Sequence, residues 1–221
     1  MRNDKKALIF DFNGTLFWDT PYNVSAWSMI SEKYRQKGYS LQEQSLLNGQ
    51  NSTTTARYFL GQNASEEQVL SIVKEKELFY LELCLKEGTP SLAPGAIPLL
   101  SEAKRRNMRM AIATGAPLMN MEQYLKWFPL LDYFSRDHII IENSKRKSKP
   151  APDTFLDAMK ALGCSVEESA VFEDSQQGIL GANNAGIFDI YAVTPEPRTF
   201  STGYRITAVI SDFRQFDLDK E

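Results

Sequence analysis

A short acidic motif near the N-terminus, Asp11-Phe12-Asn13-Gly14-Thr15-Leu16, carries the clearest chemical signal in this chain. It follows Ala7-Leu8-Ile9-Phe10, an apolar and β-prone run that predicts a buried strand of a parallel sheet. Asp11 is then expected at the carboxyl end of that strand, the edge where open α/β sheets bind their ligands. A carboxylate fixed there can act as a nucleophile or as a metal ligand. For this motif alone, a strand followed by an Asx-turn without chemistry is an equal alternative.

Further polar residues that suit phosphate chemistry stand at or near the ends of other predicted elements. They are Thr114, Lys149 and the pair Glu173-Asp174. Carboxylates from two strands that meet at one edge bind a hard cation such as Mg²⁺, while a hydroxyl and an ammonium group bind phosphoryl oxygens. Taken singly, Thr114 is a strand-ending residue, Lys149 a surface lysine and the acidic pair a helix cap. Together and in this order they indicate phosphoryl transfer.

The elements that must position these residues alternate between strands and helices. Strands are predicted for short apolar runs that end in polar residues, namely Ala7–Phe10, Arg109–Ala113, Ala170–Phe172, Asp189–Val193 and Ala208–Ile210. Amphipathic helices are predicted between them over Ile97–Asn107, Pro152–Leu162 and Gln176–Ala185. This alternation predicts an α/β fold with a doubly wound, Rossmann-like parallel sheet.

Residues 18–90 interrupt this alternation and predict an all-helical insertion. Thr20-Pro21 indicates an N-cap and a first helical residue, and this helix is expected to run to Gly38. Ser65-Glu66-Glu67-Gln68 has capping-box spacing and opens a long helix towards Glu87-Gly88, with shorter helices at Leu41–Leu47 and Thr53–Leu60. The chain is therefore expected to form an α/β core from residues 1–17 and 91–221 and a helical cap from residues 18–90, which can act as a lid.

The bulk composition excludes several classes of protein. The chain has 221 residues, 24% charged residues and a formal net charge of −3, which is ordinary for a globular protein and offers no basic stripe for nucleic acid. No segment has the length of a membrane span. The cysteines, Cys84 and Cys164, are far apart in the sequence, which favours a reducing, cytoplasmic environment over a disulfide framework or zinc site. We expect a monomer.

With these motifs in place, the sequence resembles the haloacid dehalogenase superfamily, in which Mg²⁺-dependent aspartyl-phosphate phosphatases predominate. The resemblance extends over essentially the whole chain, and its last two motifs are close to the β-phosphoglucomutase-like branch. The four matching motifs are Asp11-Phe12-Asn13-Gly14-Thr15-Leu16, Ala113-Thr114-Gly115, Lys149-Pro150-Ala151-Pro152-Asp153 and Phe172-Glu173-Asp174-Ser175-Gln176-Gln177-Gly178. The resemblance implies a phosphatase that acts on a small phosphorylated metabolite.

The resemblance also implies a role for each site residue. Asp11 would attack phosphorus and become a phosphoaspartate. The metal-site residues are Asp11, the backbone carbonyl of residue 13, and Asp174, with Glu173 acting nearby through water. The phosphate-binding residues are Thr114, Gly115 and Lys149.

The chain departs from the family at position 13, where the usual acid–base aspartate is replaced by Asn13. Asparagine keeps the backbone carbonyl ligand, but its side-chain amide cannot transfer a proton at neutral pH. Turnover is therefore expected to be slow, to be restricted to good leaving groups such as acyl or aryl phosphates, or to depend on another group for the proton. A mutase is an alternative. However, the cap histidine of β-phosphoglucomutases corresponds to Asn23, and their loop arginine is missing from Gly49–Thr55. A member that binds phosphate without turnover is a third possibility.

Overall fold

The computed structural model describes residues 6–61, 63–86, 88–143, 145–196, 199–200 and 203–219. Its centre is a parallel sheet with the strand order β3-β2-β1-β4-β5-β6. The strands are β1 (Ala7–Phe10), β2 (Arg109–Ala113), β3 (Ile139–Ile140), β4 (Ser169–Glu173), β5 (Asp189–Val193) and β6 (Ala208–Ile210). The predicted doubly wound fold is confirmed, because the strand order continues outwards in both directions from β1.

The strands form where the sequence has apolar runs because both faces of the sheet are covered. Alternate residues of β1 enter separate hydrophobic clusters: Leu8 and Phe10 face one side, and Ala7 and Ile9 face the other. On the first side, the rings of Phe10 and Phe172 stack with their centroids 4.9 Å apart. Burial on both faces fixes the register of the strands and therefore the direction of the residues that follow them.

Helices cover the sheet and form the insertion. They are α1 (Thr20–Arg35), α2 (Leu41–Leu47), α3 (Ser52–Leu60), α4 (Glu66–Lys86), α5 (Ala96–Arg105), α6 (Leu118–Trp127), α7 (Asp153–Leu162) and α8 (Gln176–Asn184). Short 3₁₀ turns occur at Leu130–Asp132, Arg136–His138 and Phe213–Gln215. The sequence pattern did not predict β3 or α6. The Thr20-Pro21 pair predicted the N-cap of α1 at Thr20, whereas the structure places the N-cap at Asp19 with proline in the first turn.

Helices α1 to α4 pack on one another around a small apolar cluster of their own, which includes Trp27, Ile30, Phe59 and Ile72. The predicted capping box of α4 is present, because Ser65 Oγ accepts from the N–H of Gln68 and the Gln68 side chain accepts from the N–H of Ser65. This agrees with a helical insertion between β1 and β2.

The exact division at residues 18 and 90 stays a prediction. Residues 62 and 87 of the predicted cap, and residues 1–5, 144, 197–198, 201–202 and 220–221 of the predicted core, lie outside the described residues. Within the described part of the chain, none of the helices has the length and apolar character that crossing a membrane requires.

Candidate active site

Three predicted site residues lie at the carboxyl edge of the sheet. Asp11 follows β1, Thr114 follows β2 and Asp174 follows β4, so three neighbouring parallel strands bring them to one edge. The main-chain N–H of Asp11 donates to the carbonyl of Phe172 at 2.9 Å, which fixes the start of the acidic loop against β4. The strand order changes direction between β1 and β4, and open α/β sheets bind ligands at such a switch point.

Asp11, Glu173 and Asp174 form a buried carboxylate cluster in which one oxygen from each residue lies within 4.8 Å of the others. Lys149 enters the cluster from the loop before α7, and its Nζ lies 2.6 Å from Asp11 Oδ1 and 2.6 Å from Glu173 Oε1. None of the four residues is more than 7% exposed. Three carboxylates against one ammonium group leave an excess of negative charge that suits a hard cation.

Burial and mutual charge together set the protonation of this cluster. Burial, the largest influence, raises the pKa of Asp11; the charge of Lys149 lowers that pKa, and the charge of Glu173 raises it again. Burial alone would lower the pKa of Lys149, but the charges of Asp11 and Glu173 outweigh burial and raise it. Lys149 therefore stays protonated, and Asp11 needs nearby positive charge to remain an anion.

Glu173 is already committed to other partners through both of its oxygens. Oε1 accepts from Lys149, and Oε2 accepts from the N–H of Ser175 at 2.7 Å and from its hydroxyl at 3.0 Å. Glu173 thus anchors Lys149 and the start of α8. This arrangement agrees with the expectation that Glu173 acts on a metal through water rather than as a direct ligand, a role that stays a prediction.

The acidic loop lies directly against Asp174. Gly14 has φ of 83°, and a Cβ at this position would overlap the carboxylate of Asp174. Only glycine combines this left-handed backbone with such a close approach. Thr15 also donates to Asp174 Oδ1, at 3.4 Å. The acidic loop at Gly14 and Thr15 and the Asp174 carboxylate are therefore close neighbours. The predicted metal ligands, including the backbone carbonyl of Asn13, stay predictions.

The amide of Asn13 is held by a buried polar network for which the sequence motifs gave no signal. Its Nδ2 donates to Asp19 Oδ2 at 2.6 Å, to Tyr124 Oη at 2.8 Å and to Tyr80 Oη at 3.2 Å. Tyr80 also donates to Asp19, and the N–H of Gly14 donates to Asp19 Oδ1 at 2.8 Å. Burial raises the pKa of Asp19, although its hydrogen bonds with Tyr80 and Asn13 lower it.

The two other predicted phosphate-binding residues line the same small cavity as Asp11. This cavity has a volume of about 70 Å³, and Thr114 and Gly115 both border it. The hydroxyl of Thr114 donates to Asn13 Oδ1 at 3.2 Å and accepts from the N–H of Ala116 at 3.0 Å. Thr114 therefore also orients the Asn13 amide. The phosphate-binding roles of Thr114, Gly115 and Lys149 stay predictions.

The cap contributes a buried ion pair to this cavity. Lys76 Nζ lies 3.1 Å from both oxygens of Glu77, and the Glu77 carboxylate also accepts from Ser52 at 2.5 Å and from Asn120 Nδ2 at 2.6 Å. The sequence does contain a signal for this pair, because Lys76 and Glu77 interrupt the apolar stripe on the buried face of α4. Charged residues are rarely buried unless they are paired, so two charges on this face indicate an ion pair.

The doubly wound sheet, the helical insertion and the acidic cluster at the switch point define a class of α/β enzymes with a carboxylate-rich site. A family model described as "Haloacid dehalogenase-like hydrolase" matches residues 8–192. The chain therefore belongs to the haloacid dehalogenase-like hydrolase family, and the predicted family membership is confirmed.

Individual relatives agree with this assignment. Fructose-1-phosphate phosphatase YqaB of Escherichia coli K12 is 29% identical over 82% of this chain and 93% of its own length. β-Phosphoglucomutase of Bacillus subtilis 168 is 29% identical over 84% of this chain and 82% of its own length. A crystal structure of a haloacid dehalogenase hydrolase, family IA, variant 3, from Entamoeba histolytica has 31% identity and a TM-score of 0.83, with 97% and 96% of the two chains covered. The predicted enzyme class, a phosphatase of this superfamily, is confirmed.

Proposed function

We propose that this protein is a Mg²⁺-dependent phosphatase that removes phosphate from a small phosphorylated sugar or related metabolite through a phosphoaspartate on Asp11. The observation that carries the proposal is the position of the Asp11 carboxylate. It lies at the sheet edge beside Lys149, in one cluster with Glu173 and Asp174. The relatives named as a fructose-1-phosphate phosphatase and a β-phosphoglucomutase support a sugar phosphate as the substrate.

The residues of the cluster fit a magnesium ion. Oxygen ligands suit this cation, and the three carboxylates of Asp11, Glu173 and Asp174 are buried together with one ammonium group, that of Lys149. Asp11, Asp174 and the backbone carbonyl of Asn13 would hold the ion, with Glu173 acting through water. When bound, Mg²⁺ neutralises phosphate charge and allows an anionic nucleophile to approach an anionic substrate.

The residues of the chain divide the remaining chemistry among them. A carboxylate oxygen of Asp11 forms a bond to phosphorus while the bond from phosphorus to the leaving oxygen breaks, and the leaving alkoxide must take up a proton. Lys149 and Thr114 stabilise the negative charge on the phosphoryl oxygens and keep the phosphoryl group in position. Water then cleaves the phosphoaspartate and regenerates the carboxylate. Asn13 can donate a hydrogen bond but cannot transfer a proton, so alkyl phosphates should react slowly.

A trapping experiment tests this proposal directly. The protein would be incubated with acetyl phosphate and Mg²⁺, because acetyl phosphate has a leaving group that needs little protonation. Borohydride reduction converts an acyl phosphate on aspartate to homoserine, and peptide mass spectrometry would locate this residue. We expect homoserine at position 11, none in Asp11→Asn, and phosphate release that requires Mg²⁺. Modification elsewhere, or phosphate release by Asp11→Asn, would refute the phosphoaspartate.

A sugar-phosphate mutase is the second candidate, favoured by the identity to β-phosphoglucomutase. The two functions differ in whether phosphate is released or moved within a sugar, which phosphorus NMR of a sugar-phosphate reaction would resolve. The third candidate, a member that binds phosphate without turnover, is motivated by Asn13. It predicts trapped phosphoaspartate, or bound phosphate, without steady-state release.

A further inference from the structure

A second, larger cavity adjoins the small cavity above Asp11. It has a volume of about 360 Å³ and lies between α1, the loop after α2 and the start of α8. The volume falls in the range of small-molecule sites. Side chains that border both cavities are Thr20, Asn23, Asn48, Gln50 and Ser52. The two cavities are therefore adjacent, and there is room for a substrate with its phosphate at Asp11 to extend from the small cavity into the larger one.

The polar lining of this larger cavity consists of hydroxyl and amide side chains. The side-chain amides of Asn23, Asn48 and Gln176 form no hydrogen bond with other described residues, although each residue is half-buried. Gln44 and Gln50 also border the cavity, and each uses its Nε2 on a backbone carbonyl, that of Tyr39 at 2.8 Å and that of Leu46 at 3.0 Å. The amides come from both the cap and the core, so contact between these two parts assembles the lining.

This lining matches the chemistry of a polyhydroxy alcohol. An amide offers two donors and one acceptor, and a hydroxyl group likewise donates and accepts, so each can satisfy the other. Half-buried polar groups that lack protein partners gain most from such a ligand. Sites built to bind hydroxyl groups also reject analogues without them, because the site's polar groups are then left unpaired.

We propose that Asn23, Asn48 and Gln176 bind the hydroxyl groups of the leaving alcohol and thereby determine substrate specificity. This inference rests on the proposed function, because it places the substrate's phosphate at Asp11. Asn23 and Asn48 border both cavities, whereas Gln176 borders only the larger one. Short alcohols therefore reach the two asparagines only, and a six-carbon polyol or sugar reaches Gln176 as well.

The test compares binding of three probes by calorimetry with Mg²⁺ present: inorganic phosphate, glycerol 3-phosphate and glucitol 6-phosphate. Binding is the readout because slow turnover at Asn13 does not affect it. We expect glucitol 6-phosphate to bind more tightly than glycerol 3-phosphate. Gln176→Met should weaken binding of glucitol 6-phosphate by about 5-fold, the loss of one hydrogen bond, and leave the affinity for glycerol 3-phosphate nearly unchanged. Asn48→Leu should weaken both by a similar factor.

Gln42→Met is the matched control, because Gln42 is exposed on the same helix as Gln44 and borders neither cavity. It should bind all three probes as the wild type does. Equal affinity of the wild type for the two alcohol phosphates, or equal effects of Gln176→Met on both, would overturn the specificity proposal alone. No binding of inorganic phosphate would overturn the proposed function and this inference with it.

Discussion

Four side chains hold the Asn13 amide, and their positions determine what an aspartate would do there. In Asn13→Asp, an oxygen would replace the Nδ2 atom that now lies 2.6 Å from Asp19 Oδ2. Two carboxylates so close share a proton, which raises the pKa of one of them towards neutrality. A protonated acid beside Asp11 can protonate the leaving oxygen. We expect turnover to rise by about 10²-fold or more, most for alkyl phosphates and least for acyl phosphates.

The pH profile of this variant gives a second readout. Because the acid must be protonated to assist the leaving group, the gain in rate should be present below the raised pKa of this acid and lost above it.

Fresh wild-type protein is needed for this comparison, since Asn13 precedes Gly14 and deamidation of Asn13 would create aspartate. The N–H of Gly14 donates to both Phe17 and Asp19, so we expect deamidation to be slow in the folded protein, as peptide mass spectrometry would show. An unchanged alkyl-phosphate rate would mean that another group supplies the proton.

The predicted metal site depends most on Asp174. Asp174→Ala should abolish Mg²⁺-dependent binding of inorganic phosphate, because Asp11 alone then supplies a direct carboxylate ligand. Asp212→Ala is a matched control: Asp212 is also buried shortly after a strand, but it pairs with Arg214 outside the cluster. Calorimetry measures the affinity, and thermal unfolding checks the fold of both variants. Unchanged metal affinity in Asp174→Ala would exclude Asp174 as a ligand.

Among the elements, the buried pair on α4 should affect the stability of the cap. Glu77→Gln would leave the Lys76 ammonium buried without its carboxylate, which costs about 3–5 kcal/mol for pairs of this kind. Lys76→Met combined with Glu77→Gln should recover much of that loss, because no unpaired charge remains. Urea unfolding of the wild type, Lys76→Met, Glu77→Gln and the double variant gives the four free energies of unfolding that a double-mutant cycle needs. Additive losses would show that the two charges do not depend on each other.

Helix α2 provides a pH-dependent contribution to stability. Burial would raise the pKa of Glu43, but hydrogen bonds from Ser40, Arg35 and Lys37 outweigh it and lower the pKa to about 2. A lowered pKa in the folded state stabilises the protein above the unfolded value near 4.5 and loses this effect as the pH falls towards 2. The stability difference between wild type and Glu43→Gln should therefore shrink between pH 5 and pH 2 in urea unfolding. A constant difference would contradict the predicted role.

The elements that the sequence predicted are those with strong local signals. Apolar runs such as Ala7–Phe10 are buried on both faces, so the strand pattern needs no knowledge of distant partners. By contrast, β3 has only two residues at the sheet edge, and α6 begins after Pro117 without a side-chain cap. The carboxylate of Asp19 makes no capping bond to α1, because it binds Asn13, Gly14 and Tyr80 instead. Features that depend on such tertiary contacts leave no pattern in the local sequence.

At the scale of the whole molecule, the cap lies against the core through both apolar and polar contacts, since Ala26, Tyr80 and Cys84 of the cap belong to the apolar cluster on one side of the sheet. The N–H of Asn51 donates to Ser148 Oγ at 2.8 Å, and Asn120 of α6 donates to Glu77 of α4 at 2.6 Å. The motifs located the strand-end residues because parallel strands bring their ends to one edge. They could not locate these contacts, or Tyr80 and Tyr124 around Asn13, because each joins residues far apart in sequence.

The cap is predicted to open and close on hinges near Phe17–Thr20 and Thr89–Pro94, since both connections lie beside the nucleophile strand and phosphoryl transfer benefits from excluding water. X-ray scattering should show a smaller radius of gyration with Mg²⁺ and a phosphate analogue than without them. The same compact shape in both states would exclude large closure.

Gly49 gives this closure a specific test. It has φ of 84°, and a Cβ there would overlap the side chain of Ser175 in the core. Gly61 has φ of 86°, but among the described residues no atom outside its chain neighbours lies within 4 Å of its added Cβ. Alanine at either position should cost about 1–3 kcal/mol through backbone strain. Only Gly49→Ala should also hold the cap away from the core, so that the ligand no longer reduces the radius of gyration and acetyl phosphate turnover falls further than in Gly61→Ala. Equal effects of the two variants would show that contact at Gly49 is not needed for closure.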